Sequence, residues 1–105
     1  MPRHAHSLPR LSPKEELVLE LLAERGRALY GLELVARSRR RLKRGTIYVT
    51  LQRMEDKGYV TSRREDPPPA TGGLPRRLYE PTALGRRVLA AWTAAAELFK
   101  PEFAR

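Results

Sequence analysis

Between Asp66 and Pro75 the chain carries four prolines and two glycines within ten residues. No helix runs through such a stretch, because proline lacks the amide hydrogen and its ring collides with the preceding turn. Any fold of this 105-residue chain must therefore bend here. The flanking residues say what the bend joins. Tyr59 to Glu65 is short, partly β-branched and charged at alternate positions, and Arg76 to Glu80 reads as the returning strand. Together they predict a two-stranded hairpin with arginines near its tip.

Upstream of Gly58 the apolar period is helical. Ser12 and Glu15 form an S-x-x-E capping box, with Pro13 at the first helical position and Gly26 as the stop. Leu17, Val18, Leu21 and Leu22 share one arc of that helix, and Glu16, Glu20 and Glu24 face away. Leu19 falls off the arc and is assigned to a contact with another chain. A shorter pattern from Leu29 to Ser38 places Leu32, Val35 and Ala36 on one side and ends in Arg39, Arg40, Arg41, Lys43 and Arg44. A third helix from about Thr46 to Lys57 repeats Ile47, Leu51 and Met54, and Gly58 closes it. Gly31 and Gly45 read as a close helix approach and a tight turn. Three helices with tight connections, followed by a hairpin, predict a mainly α fold with a small β-hairpin, a winged helix-turn-helix.

Downstream, Pro81 and Thr82 open a last helix that runs to about Lys100, with Thr82 as its cap. Leu84, Val88, Ala91, Ala95 and Leu98 repeat along it with gaps of four, three, four and three, and Trp92 and Phe99 flank the stripe. This is more apolar surface than a chain of this size easily covers, so the expectation is homodimerisation through a long C-terminal helix. The predicted organisation is a flexible basic arm over 1–11, a winged helix-turn-helix over 12–82, and a dimerisation helix with its tail over 83–105.

Charge narrows the partner. The formal net charge is +9. Residues 37 to 87 hold fourteen basic and five acidic side chains, so the whole excess lies mid-chain. Seventeen of the twenty-one cations are arginine, whose planar fork matches phosphate and guanine edges. The natural polyanionic partner is nucleic acid. Interleaved aromatics for stacking unpaired bases are missing, which speaks against RNA, and the outward face of the third helix is polar and basic, which speaks against a protein-docking module. Nonspecific DNA packaging is compatible with the charge alone.

Other classes find little support. The histidines, His4 and His6, both lie in the arm, and neither a Ser, Asp and His grouping nor a G-x-x-x-x-G-K loop is present, so no enzyme, cofactor or metal site is predicted. Cysteine is absent, no apolar run approaches the length of a membrane span, and no secretion signal opens the chain, so the expectation is a cytoplasmic protein without membrane contact.

The ordered set Tyr30-Gly31, Gly45-Thr46-Ile47-Tyr48, Leu51 through Val60, Gly73 through Tyr79 and Thr82 through Arg87 resembles the PadR-type transcriptional regulators. The resemblance spans about residues 12 to 92 and implies a dimeric winged-helix protein that represses transcription. The chain departs from the family pattern at Leu32, where a second aromatic often follows Tyr-Gly, and at Val49, where proline is common. Its wing carries the Pro67-Pro68-Pro69 run, and its C-terminal helix is single, as in the smaller members.

On this reading Thr46, Val49, Gln52 and Arg53 face outward from the third helix into the major groove, N-terminal end first, with Tyr48 on its shoulder. Arg53 suits guanine, Gln52 adenine, and Val49 a thymine methyl. Thr46 and the amides near Gly45 suit phosphate, and Tyr48 reads either as a phosphate contact through its hydroxyl, as the resemblance implies, or as an amphipathic ring sealing the core edge. Arg44 and its neighbours add sequence-independent attraction. Arg76 and Arg77 flank the wing tip, so one at least points at the phosphates or into the minor groove, and of Arg63 and Arg64 only one can share that face. The dimer interface is assigned to Leu19, Leu84, Val88, Ala91, Trp92, Ala95, Leu98 and Phe99. Trp92 reads as interface packing on its residue type. The resemblance adds a second reading, a small planar aromatic effector held against it between protomers.

Overall fold

The computed structural model describes residues 10–66 and 75–99. The arm up to residue 9, with its two histidines, and wing-loop residues 67–74 lie outside them.

Helix α1, Pro13–Arg25, begins with the capping box read from the sequence: the Ser12 hydroxyl accepts from the Glu15 amide and the Glu15 carboxylate accepts from the Ser12 amide. Gly26 ends it at φ 68°, the left-handed conformation that costs glycine least. This helix is the spine of the core. Leu17, Val18, Leu21 and Leu22 are buried, and so is Leu19, at 1% exposure. The assignment of Leu19 to another chain is therefore corrected: it points at α4, Ala83–Leu98, close to Gly85. Apolar residues wider than one arc are needed because α1 is packed by α2, α3, α4 and the sheet at once.

The second helical pattern divides in two. Leu29–Tyr30 forms a short strand, β1, and α2 runs over Gly31–Arg37. Its core residue is Leu34, fully buried, while Leu32 is 45% exposed and Ala36 is exposed. Of the predicted face only Val35 packs against the core, and the buried side is turned toward Leu34, because Leu29 belongs to a strand and does not set the helix register. Ser38 closes α2 from inside the core: its hydroxyl donates to the Val35 carbonyl at 2.8 Å and accepts from the Leu42 amide at 2.9 Å. The turn that follows holds Arg39 and Arg40 at φ 55° and 71°, a left-handed pair that costs non-glycine residues about 1–2 kcal/mol each. Burial of Leu42 holds the strained turn shut.

Helix α3, Ile47–Asp56, buries Ile47, Leu51 and Met54 at the predicted spacing, with Thr50 beside them. Gly58 follows at φ 80°. Strands β2, Val60–Glu65, and β3, Arg76–Pro81, pair antiparallel with Arg64 opposite Arg77 and Ser62 opposite Tyr79. The hairpin is not alone: β1 adds to the other edge of β3, giving the order β1-β3-β2. A two-residue strand has no periodicity to read, so tertiary pairing alone reveals it.

Helix α4 is capped by Thr82, whose hydroxyl accepts from the Gly85 amide. Its first turns are clamped onto the domain. The Thr82 amide donates to the Tyr59 carbonyl at 3.0 Å, and the Thr82 hydroxyl donates to the Gly58 carbonyl. Val88 is 3% exposed, and Leu89 and Trp92 pack against the core.

One ionic contact joins helices distant in sequence. Glu15, 3% exposed, receives both carboxylate hydrogen bonds from Lys57 at 3.0 and 2.8 Å, tying the start of α1 to the end of α3.

Candidate nucleic-acid interface

The core spacing of α3 sends its other face to solvent. Tyr48 is 49% and Val49 56% exposed, and Gln52, Arg53 and Thr46 are exposed beside them. The Gln52 amide donates to Asp56 one turn on, at 3.0 Å, which orients it along the helix and leaves its carbonyl oxygen outward. The Arg53 side chain has no hydrogen-bond or ion-pair partner among the described residues. The amides of Thr46 and Ile47 both donate to the Lys43 carbonyl. Those two are spoken for, so the expectation of free amides beside Gly45 is corrected at these positions. Gly45 itself has open space around it, and its φ is not left-handed, so no tight turn demands glycine there.

Gly31, by contrast, is a close approach. A Cβ there would lie 2.6 Å from the Tyr48 ring, so the backbone at the start of α2 serves as the bed for that ring. Tyr48 is thereby placed at the junction of α2, α3 and the sheet. It lines a notch of about 350 Å³ between α3 and the wing with Tyr30, Leu32, Tyr79, Arg76 and Arg77.

The strand register separates the wing arginines. Directly opposed side chains of an antiparallel pair share a face. Arg64 and Arg77 lie together on the face that carries Tyr79 and Leu29, toward the core and α3. Arg63 and Arg76 lie on the other face with Tyr30. There Arg76 is engaged: its guanidinium stacks 4.0 Å from the Tyr30 ring centroid, donates to the Tyr30 hydroxyl at 3.2 Å and lies 3.9 Å from Glu65. The Tyr30 hydroxyl donates to Glu65, and that bond pushes its pKa above the ordinary tyrosine value. Arg76 is therefore a brace between strand edges, a role its position beside the wing tip does not disclose. Arg77 donates to Ser62 at 3.1 Å, and Arg64 pairs with Asp66 at 3.2 Å across a solvent-exposed gap. Arg44 and the neighbouring cations of the α2–α3 turn are exposed on the approach to α3.

The predicted interface residues of α4 fall into two groups. Val88 joins Leu19 in the core of its own chain. Leu84, Leu98 and Phe99 are 37%, 81% and 85% exposed, with Ala91 and Ala95 half-buried. Trp92 is half-buried and borders a cavity of about 510 Å³ with Leu11, Glu15, Arg10, Arg53 and Lys57. That places the indole within reach of the last turn of α3, a proximity with no signal in the sequence. Among the described residues no cluster of His, Asp and Glu could hold a metal, and no helix is long and apolar enough to cross a membrane.

A helix pair joined by a basic turn, an exposed polar face on its second helix and a flanking arginine-bearing hairpin define a winged helix-turn-helix of the kind found in transcriptional regulators. The family model of PadR-like transcriptional regulators matches residues 18–91, and the chain belongs to that family. Its members regulate transcription and are not enzymes. Among solved structures, it is similar to a PadR family transcription regulator from Clostridium difficile, at 28% identity and a TM-score of 0.65 over 79% of this chain and 85% of that one. One from Eggerthella lenta matches at 27% identity and a TM-score of 0.65 over 81% and 75%. Bacillus subtilis PadR, solved in complex with operator DNA, shares the fold at 22% identity and a TM-score of 0.68, over 91% of this chain and 54% of that one. No curated protein sequence matches the chain.

Proposed function

We propose that this PadR-family regulator binds duplex DNA sequence-specifically as a homodimer and represses transcription. One observation carries the reading: the outward face of α3 is open and polar, and cations flank it from the α2–α3 turn and from the wing. Thr46, Tyr48, Val49, Gln52 and Arg53 would meet the major groove and its edge, and Arg64 and Arg77 the flanking backbone. The operator complex of Bacillus subtilis PadR supports DNA as the partner. The apolar outer surface of α4, with Leu84, Ala91, Ala95, Leu98 and Phe99, supports the dimer. A two-fold pair of α3 helices then reads half-sites about one helical turn, ~34 Å, apart.

The test is fluorescence anisotropy on the DNA just upstream of the protein's own gene, with a random duplex alongside and salt varied in both. The expected result is a preference of at least ~10³-fold for the upstream DNA. Equal, steeply salt-dependent affinity for both would reduce the protein to a nonspecific binder of that DNA. No binding to either at moderate salt would overturn the reading in favour of protein docking.

Regulation by a small planar aromatic effector at Trp92 is part of the same proposal. Lys57 and Glu15 on its cavity are paired with each other, and Arg10 and Arg53 leave the lining net cationic, which favours an anionic aromatic over a cationic one. A compound bound there would bias the angle between protomers only by its differential affinity for the two arrangements. Trp92 is the chain's single tryptophan, so its emission reports this site alone. Saturable quenching by an aromatic carboxylate, at constant dimer mass, is the expected outcome. Quenching that rises without saturating would sink the effector site.

A further inference from the structure

The recognition helix and the wing are joined by a hydrogen-bonded chain of three side chains. On β2, the Ser62 hydroxyl donates to the Glu55 carboxylate of α3 at 2.7 Å. From β3, the Arg77 guanidinium donates to the same Ser62 oxygen at 3.1 Å. A hydroxyl both gives and accepts, so Ser62 is the one group of the three that can serve an anion on one side and a cation on the other. Glu55 and Arg77 form no ion pair of their own among the described contacts. The serine does the joining. The position of Glu55 is also felt by Tyr79, the residue opposite Ser62, whose hydroxyl pKa is raised by burial and then by the Glu55 charge.

We propose that Ser62 is a positioning residue for DNA contact: it holds Arg77 on the α3 side of the wing, aimed at the backbone of the duplex whose groove α3 enters. This rests on the DNA-binding reading above. Three features of the arrangement lead to it. A free arginine must give up rotamer freedom to meet a phosphate, whereas one already bonded has lost part of it beforehand. Only one N–H of the five is spent on Ser62, which leaves the rest of the fork for a phosphate. Finally, Arg64 stands directly opposite Arg77 on the same face; its pair with Asp66 is solvent-exposed and weak, so a phosphate can draw both arginines. Arg76, stacked on Tyr30 across the sheet, does not share the task.

The experiment is a double-mutant cycle read by anisotropy on a random-sequence duplex at low salt, since a phosphate contact needs no particular sequence. Ser62→Ala is expected to weaken binding about three- to tenfold in the otherwise unchanged protein and to cost nothing further in an Arg77→Ala background. Arg77→Ala should lower the slope of log K against log salt by about one. Ser62→Thr, which keeps the hydroxyl on a strand-favouring residue, should restore the binding. A general loosening of the wing would instead weaken binding equally in both backgrounds and would overturn the inference. So would a Ser62→Ala variant that binds as tightly as the unaltered chain. Failure of the unaltered chain to bind any duplex would overturn the DNA-binding reading, and this one with it.

Discussion

Gly85→Ala is expected to destabilise the protein by about 3–5 kcal/mol, lowering Tm by more than about 12 °C for a domain of this size. A Cβ at position 85 would lie 2.1 Å from the Tyr59 carbonyl oxygen, 3.0 Å from its carbon and 3.3 Å from Leu19. Two of these are backbone atoms and cannot swing aside. The Tyr59 carbonyl is further pinned by the Thr82 amide, which binds it one turn before the glycine. Relief therefore requires α4 to back away, and that opens the contact with Leu19 and lifts Val88 from the core. Overpacking of this kind typically costs 1–3 kcal/mol, and the rigid neighbours here put the cost at the top of that range or above, about 3–5 kcal/mol. Gly45→Ala is the control, because a Cβ there meets nothing within 4 Å; it should shift stability by no more than about 0.5 kcal/mol. Thermal melts of the two variants decide the matter. A Gly85→Ala protein that melts within a few degrees of the parent would show that α4 does not seat on Tyr59 as described.

The second large effect concerns recognition. Arg53→Ala and Gln52→Ala should each lower affinity for the operator about 10–100-fold, as the loss of a base contact worth about 1–3 kcal/mol requires. Both side chains are exposed on α3 and neither touches the core, so Tm should stay nearly constant. Binding to random DNA should fall much less, because base contacts carry the specificity and phosphate contacts the grip. Arg64→Ala supplies the opposite pattern: a similar fractional loss on operator and random duplex, with the salt slope reduced by about one. Parallel titrations of the three variants on both duplexes read these outcomes. If Arg53→Ala weakens operator and random DNA alike, Arg53 is a phosphate contact and sequence is read elsewhere on α3.

Elements set by local chemistry are legible in the sequence. The capping box at Ser12 and Glu15, the left-handed stop at Gly26 and the cap at Thr82 depend on residues within a few positions of each other, and all three are present. The core face of α3 was equally readable, since Ile47, Leu51 and Met54 keep one helical stripe, and with it came the outward set of Val49, Gln52 and Arg53. Periodicity failed where its window was too short or crossed an element boundary. A helical period that includes Leu29, a strand residue, turns the expected face of α2 away from the buried Leu34.

Local chemistry specifies the order of the helices and the hairpin, the buried stripe of α3 and the concentration of arginine around the α2–α3 turn and the wing. These follow from neighbours three and four apart along a helix, or two apart along a strand, whose relation the chain itself enforces. Which apolar residues face their own core, as Leu19 and Val88 do, and which cations are free to act depends on packing between elements. Arg63, Arg64, Arg76 and Arg77 are alike in type, yet strand register puts Arg76 against Tyr30 and Glu65 and Arg77 against Ser62. Register is a relation between residues that distance along the chain does not specify, and a one-residue slip would exchange the two faces. The same holds for Glu15 and Lys57, forty-two positions apart and joined only because α1 and α3 pack end to end.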